Sequence, residues 1–422
     1  MNQLVIFHST RALSRHAGGP SGYLFHLWSG LAGHRHAKPA GCEIAWLDDG
    51  PAKSGEKPPG QAISRSRPPT CRQRVWHHLL SHGFLRWGVP ARLDPLRYRR
   101  EPAPPAALAA LPAHGLVHAH STLVADRLLQ WRAAGAWSGH LILSSHSPEA
   151  LAIEKANRLR AKGYAAAYCD HVEKTLLARD LAVFRDADAW IFPSPGAMDP
   201  YVETLPGFAE LARTKRVYFV PTGIVRPVPP APPAIAKRRM APASGFQICF
   251  IGRHNEVKGY DLFCAAGLRL LESHPGVQIV CAGTGPLAPP VHPRWHELGQ
   301  IEDVPALLAA SDVLALPNRR TYYDLVLLEA LAAGLPVVAT ATGGNRDVAA
   351  ETAALSLCPA DPESLEQALA AVVAATPGQR AVWRAAALDG YGNRHTETAF
   401  ALAYAEAVQK IVQHLNEGGP QP

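Results

Sequence analysis

Residues 311–344, SDVLALPNRRTYYDLVLLEALAAGLPVVATATGG, restrict the fold more than any other part of the chain. Val313 to Leu316 is a short apolar run, Pro317 to Tyr323 a polar and aromatic loop, and Leu325 to Ala333 is apolar almost all round. Leu335 to Ala339 is a second short apolar run. A helix with no polar face, set between two such strands, has to be covered on every side, and the βαβ unit of a parallel sheet provides that. Gly334 falls just past the helix, where a positive φ is required. One carboxylate, Glu329, interrupts the apolar helix. Burying it costs several kcal/mol unless a partner binds it, so it needs either a salt bridge or a ligand.

The chain has 422 residues, 47% of them apolar, enough for two cores of about 200 residues each. Both halves alternate strands with helices. In the first, strands are expected at residues 3–8, 43–47, 115–121, 141–146, 188–194 and 216–220, with a helical, charge-rich stretch over 150–180. In the second, Phe246–Ile251 and Val277–Ala282 are strands and Tyr260–Leu271 a helix. The proline-rich segment from Arg226 cannot form helix or sheet and reads as a semi-rigid linker. The expected division is therefore 1–225, a linker at 226–243, a second domain at 244–395 and a C-terminal helix at 396–422.

The net charge of +7 is local. Between Lys53 and Arg100 there are eleven Lys and Arg against two acids, so the rest of the chain is slightly acidic. This basic stretch lies in an insertion at about 50–105. Within it, residues 72–89 place Val75, Trp76, Leu79, Leu80, Phe84 and Trp87 over half of a helix surface, although Arg72 and Arg86 also fall there. Such a helix suits either its own domain or an anionic membrane interface. His78 and His82 have metal spacing but no third ligand, and read as surface histidines. Nucleic acid is not expected, because no recognised module accompanies the charge. Seven cysteines without a CxxC pair suggest a reducing compartment. No leader is expected, since the first strand begins at Gln3, and no apolar run reaches the roughly twenty residues of a membrane span. The expected location is cytoplasmic, with peripheral membrane contact through residues 72–100.

Several motifs end strands where a parallel sheet presents its ligand crevice. A glycine-rich turn, Ala17-Gly18-Gly19-Pro20-Ser21-Gly22, follows the first strand. His118, His120 and His146 close two others; singly each fits a structural role, but the set points to the crevice. Gly252-Arg253-His254-Asn255-Glu256-Val257-Lys258-Gly259 puts two cations on a strand-to-helix loop, where helix N–H groups also favour a diphosphate. Asp186-Ala187-Asp188 sits at a helix-to-strand junction and reads as structural rather than as a metal clasp.

Together these residues resemble the retaining glycosyltransferases of the GT-B fold, family 4 (glycosyl transferases group 1). The resemblance is strongest over residues 248–374, including the strand-to-helix junction Cys358-Pro359-Ala360-Asp361-Pro362-Glu363. It implies an α/β architecture of two Rossmann-like doubly wound domains facing a central cleft, the first binding acceptor and the second a nucleotide-sugar. Carried over residue by residue, it implies Arg253 and Lys258 at the diphosphate, Glu329 at the ribose hydroxyls, backbone groups at Leu325 and Val326, the loop at Gly18 and Gly19, and His146 at the transferred sugar. His120 is a weaker candidate of the same kind. One departure stands out. The family's first glutamate, eight residues before Glu329, is replaced by Thr321. Asp324 reaches in as a substitute, or Thr321 suffices, or the two form a helix cap through their S/T-x-x-acid spacing.

The implied activity is hexosyltransferase-like transfer of a sugar to an acceptor hydroxyl, with retention, in glycan or envelope polysaccharide synthesis. The partners are a nucleotide-sugar donor and a glycan or lipid-linked acceptor. No metal or other cofactor is expected, since cations and helix N–H groups can meet the leaving diphosphate. A non-catalytic sugar-nucleotide-binding subunit and a nucleotide-sugar isomerase are the competing readings. The isomerase would need an acid/base pair, and the sequence offers no convincing one.

Overall fold

The structure is a computed structural model that describes residues 3–8, 13–15, 19–33, 43–48, 111–161, 163–227 and 245–417. The basic insertion, the 72–89 helix with His78 and His82, the proline-rich stretch 228–244 and Gly18 lie outside these residues.

Two six-stranded sheets organise the chain, and every ladder in them is parallel. The first contains β1 (Gln3–His8), β2 (Glu43–Asp48), β3 (Leu116–Ala119), β4 (His140–Leu143), β5 (Ala189–Phe192) and β6 (Val217–Phe219), in the order β2-β1-β3-β4-β5-β6. The second contains β7 (Phe246–Ile251), β8 (Val277–Ala282), β9 (Trp295–Glu297), β10 (Val313–Leu316), β11 (Val337–Thr340) and β12 (Leu355–Cys358), in the order β12-β11-β10-β7-β8-β9. Strand order reverses beside β1 in one sheet and beside β7 in the other, which is where a doubly wound sheet opens a crevice.

Each sheet is covered on both faces because its central strands are apolar at consecutive positions. In the first, Val5, Phe7, Val117, Leu141, Trp190 and Phe192 face one core, while Leu4, Ile6, Leu116, Ile142 and Ile191 face the other. The second repeats this, with Cys249, Leu314, Leu316, Val337 and Ala339 on one side and Ile248, Phe250, Ile279, Val313 and Val338 on the other.

The α-helices of the described residues are α1 (Gly19–Gly33), α2 (Thr122–Ala133), α3 (Leu151–Ala161), α4 (Ala166–Asp186), α5 (Asp199–Thr204), α6 (Phe208–Ala212), α7 (Tyr260–Ser273), α8 (Val304–Ala309), α9 (Leu325–Ala332), α10 (Gly344–Ala349), α11 (Pro362–Ala374), α12 (Pro377–Arg394) and α13 (Glu397–Asn416). The helical stretch expected over 150–180 is a pair of packed helices, broken near Gly163 at φ +79°. At the 358–363 junction, Asp361 accepts from Ser364 N–H at 2.8 Å and starts α11 with Pro362 in the first turn. The final helix, α13, is capped by Thr396 and returns to the first sheet. There Phe400, Tyr404, Val408 and Ile411 join the core formed with Leu4, Ile6 and α1. Among the described residues, no helix is long and apolar enough to cross a membrane.

Candidate functional site

The βαβ unit that restricts the fold is present as β10, α9 and β11, and Gly334 closes α9 at φ +71°. Leu327, Leu328, Ala330 and Leu331 are fully buried, as an all-apolar helix requires. Glu329 is partly buried on the same helix, and among the described residues no side chain hydrogen-bonds it. Burial pushes its carboxyl up to about 7, against the pull of Arg15. Arg15 comes from the other half of the chain, ahead of α1, and its Nη2 is buried without a hydrogen bond.

The start of α9 meets the loop after β7. Lys258 Nζ lies 2.5 Å from Asp324 Oδ1, while Asp324 Oδ2 accepts from Thr321 Oγ1 at 2.8 Å and from Asn318 Nδ2. Burial alone would raise the Asp324 carboxyl; the Lys258 charge and the three hydrogen bonds outweigh it and hold the group below the ordinary carboxylate range. Arg253, on the same loop as Lys258, is exposed.

The helix-cap expectation for Thr321 and Asp324 is corrected here. Asp324 is itself the N-cap residue, with φ −84° and ψ 121°, and its side chain caps nothing. The helix begins later than the S/T-x-x-acid spacing requires because Tyr322 and Tyr323 are drawn into two cores. Tyr322 packs against Phe192 and Tyr201 of the first half, and Tyr323 lies near His395. The first turn of α9, with the N–H groups of Leu325 and Val326, therefore has no side-chain cap. Thr321 is 1% exposed and turns its hydroxyl to Asp324.

Across the cleft stands α1, which begins at Gly19 with φ +50° and packs against α9. A Cβ on Gly22 would come within 2.8 Å of Leu325 Cδ1, so the first turns of the two helices touch and a side chain there would push the tip of Leu325 aside. Beside them lie the histidines. His120 Nδ1 and His146 Nε2 are 3.0 Å apart with their rings stacked, and Tyr23 lies 4.3 Å from the His146 ring between centroids. The closing contact is Tyr322, 5.7 Å from His146 edge to face. Burial pushes the His146 imidazole down to about 3, so it is neutral at ordinary pH and offers Nδ1 as its remaining polar atom.

His118 has a different role. Fully buried, it bridges Tyr404 Oη at 2.9 Å and Ser144 Oγ at 2.9 Å, fastening α13 and β4 to β3, and burial with the neighbouring His146 pushes it down to about 3. Asp188 is likewise structural: Oδ2 accepts from Leu141 N–H and from Arg132 Nη1, both at 2.7 Å. Among the described residues no group of His, Cys, Asp and Glu could hold a metal.

Sequence reasoning missed the contacts that bring the halves together. Gly196 N–H donates to Asp347 Oδ2 at 2.8 Å, Arg346 pairs with Asp199, and Arg320 pairs with Glu203 at 3.1 Å and lies 3.6 Å from buried Glu149. The one visible signal was the pair of tyrosines in an otherwise polar loop at 322–323.

Residues 245–375 match the family model of glycosyl transferases group 1. Similar curated relatives include the D-inositol 3-phosphate glycosyltransferase of Salinispora arenicola, 33% identical over 132 residues, covering 26% of this chain and 30% of the relative. Another is the lipopolysaccharide core biosynthesis mannosyltransferase LpsB of Rhizobium meliloti, 29% identical over 207 residues, covering 44% and 57%. The chain thus matches less than a third of the first of these relatives and just over half of the second. Over nearly the whole length, the fold is similar to that of sucrose-phosphate synthase from Thermosynechococcus elongatus, with TM-score 0.61, 18% identity and coverage of 99% and 100%. It is also similar to HepE of Anabaena in complex with UDP-glucose, with TM-score 0.57, 15% identity and coverage of 98% and 99%. The fold is therefore α/β, of the two-domain GT-B kind, and residues 245–375 within it match the glycosyl transferases group 1 family.

Proposed function

We propose that this protein is a retaining glycosyltransferase of family 4 that moves a sugar from a nucleotide-sugar to an acceptor hydroxyl. The observation that carries the reading is the meeting of three features in one cleft: an uncapped α9 N-terminus, the cationic loop of Arg253 and Lys258, and Glu329, which no described side chain hydrogen-bonds. Uncapped N–H groups and cations suit a diphosphate, and a carboxylate about one turn along the helix suits vicinal ribose hydroxyls. A relative named as a glycosyltransferase and a structural neighbour in complex with UDP-glucose support the same reading.

In the mechanism, negative charge grows on the leaving diphosphate oxygen as the glycosidic bond breaks. Arg253 and the first-turn N–H groups of α9 stabilise that charge, so this chain's own groups suffice without a metal or other cofactor. His146, neutral and held by His120, presents Nδ1 to the transferred sugar. In this reading the backbone at Gly19, where α1 begins, closes the phosphate side from the first half.

Incubation with a panel of nucleotide-sugars and acceptors, followed by assay of nucleoside diphosphate and transferred sugar, tests the reading. Arg253→Ala is expected to lower turnover by about 100-fold, the scale of one lost charge-stabilising donor, and Thr321→Val by much less. Wild-type turnover in Arg253→Ala overturns the donor site, an altered free sugar points instead to an isomerase, and binding without turnover to a non-catalytic subunit.

The acceptor in this reading is a glycan or lipid-linked sugar at a membrane, met through basic residues 72–100 by a protein working on its cytoplasmic side. Cosedimentation with anionic vesicles, lost in high salt, is expected; equal cosedimentation of a variant lacking residues 72–89 overturns it.

A further inference from the structure

The Lys258 ammonium is already engaged by a protein carboxylate. Asp324 Oδ1 faces it at 2.5 Å, and Oδ2 is held by Asn318 Nδ2 and Thr321 Oγ1. The side chains of Lys258 and Asp324 are 18% and 14% exposed. Two consequences follow. Three of the about four acceptor positions of the Asp324 carboxylate are filled by protein donors, so it offers a sugar hydroxyl less than a free acid at position 321 would. The ion pair is also formally neutral, which leaves exposed Arg253 as the remaining cation of the 252–258 loop, set against the loop's one acid, Glu256.

We propose that Asp324 is a positioning residue: its carboxylate fixes the Lys258 ammonium beside the first turn of α9 and, by neutralising it, makes Arg253 the cation that sets affinity for a nucleoside diphosphate. The inference rests on the donor-site reading above. The physical argument is charge balance. A diphosphate entering this turn meets a cation and an anion 2.5 Å apart, so removing either partner alone unbalances the site in opposite directions.

A double-mutant cycle on the full chain reads this directly, with UDP, ADP and GDP as probes in titration calorimetry at two salt concentrations. Lys258→Ala leaves an uncompensated carboxylate beside the phosphate and is expected to weaken binding by about 30-fold or more. Lys258→Ala/Asp324→Asn removes both charges and is expected to recover affinity to within about 5-fold of wild type. Asp324→Asn alone is expected to tighten binding and steepen its salt dependence, an effect a purely structural role would not produce. Asp324→Ser, which removes the same charge and is favoured at a helix N-cap, repeats the test if the Asn variant fails to fold. A double variant no better than Lys258→Ala overturns the proposal, as does weaker binding in both Asp324→Asn and Asp324→Ser. If the wild type binds none of the three diphosphates, the donor-site reading falls first and the proposal with it; binding without rescue removes the proposal alone.

Discussion

At the scale of single residues, Glu329 is the sharpest case. Its carboxyl is raised from 4.5 to about 7 by burial, so the folded state holds the proton more tightly than the unfolded chain. The sign follows: below pH 4.5 both states are protonated and nothing is lost, and as pH rises through 7 the folded state has to carry a desolvated charge. Glu329→Gln should therefore melt with the wild type at pH 4 and exceed it by about 2–3 kcal/mol at pH 8, measured by denaturant titration. The same variant should bind nucleoside diphosphates about 10- to 100-fold more weakly, because an amide replaces a charged acceptor. Equal stability at pH 8 would mean that the carboxylate is paired in solution. The sequence exposed Glu329 because a lone charge in an apolar helix breaks the pattern. It could not separate Thr321 and Asp324 as cap, substitute acid or ion-pair partner, since those readings share one spacing and differ only in which way the carboxylate turns.

At the scale of elements, the loop from Pro317 to Asp324 is shaped by close backbone approach. Gly343, at the N-cap of α10, has φ +50°, and a Cβ there would lie 1.9 Å from the Thr321 carbonyl oxygen. Gly343→Ala is both strained and overpacked, and should cost about 2–4 kcal/mol, the sum of a disfavoured φ and a displaced strand-end loop. Because that loop carries Tyr322 and Asp324, diphosphate affinity should fall with it; a variant with wild-type melting temperature and affinity would show that the loops move apart freely. Elements were legible where pattern was strong: β7 and β8 have the residues expected of them, being apolar runs interrupted only by Gln247 and Gln278 between turn signals. β9, three residues at a sheet edge, has no pattern to read, and the break between α3 and α4 turns on a glycine inside a charged stretch.

At the scale of the whole molecule, the contacts that join the halves near the cleft include ion pairs and the buried ring of Tyr322, and magnitudes decide which of these matters. Arg346–Asp199 and Arg320–Glu203 are largely exposed, so each contributes about 0–1 kcal/mol. Tyr322 is 6% exposed within a cluster of Phe192, Tyr201 and His146 belonging to the other half. Tyr322→Ala should cost about 3–5 kcal/mol and enlarge the radius of gyration measured by small-angle scattering, whereas Arg346→Ala should change either little. The reverse ranking would assign closure to the ion pairs.

The amino-acid sequence by itself determined the two parallel sheets, the βαβ unit around Glu329 and the cationic loop after β7, because each follows from local periodicity, turn residues or a charge out of place. Only the tertiary structure decided that His118 fastens a core while His120 holds His146, and that Tyr322 crosses between halves. It also decided that Lys258 faces Asp324. The physical reason is the same throughout: residues 66 positions apart, such as Lys258 and Asp324, leave no trace of each other in local pattern, and their pairing exists only where the sheet brings two loop ends to one edge.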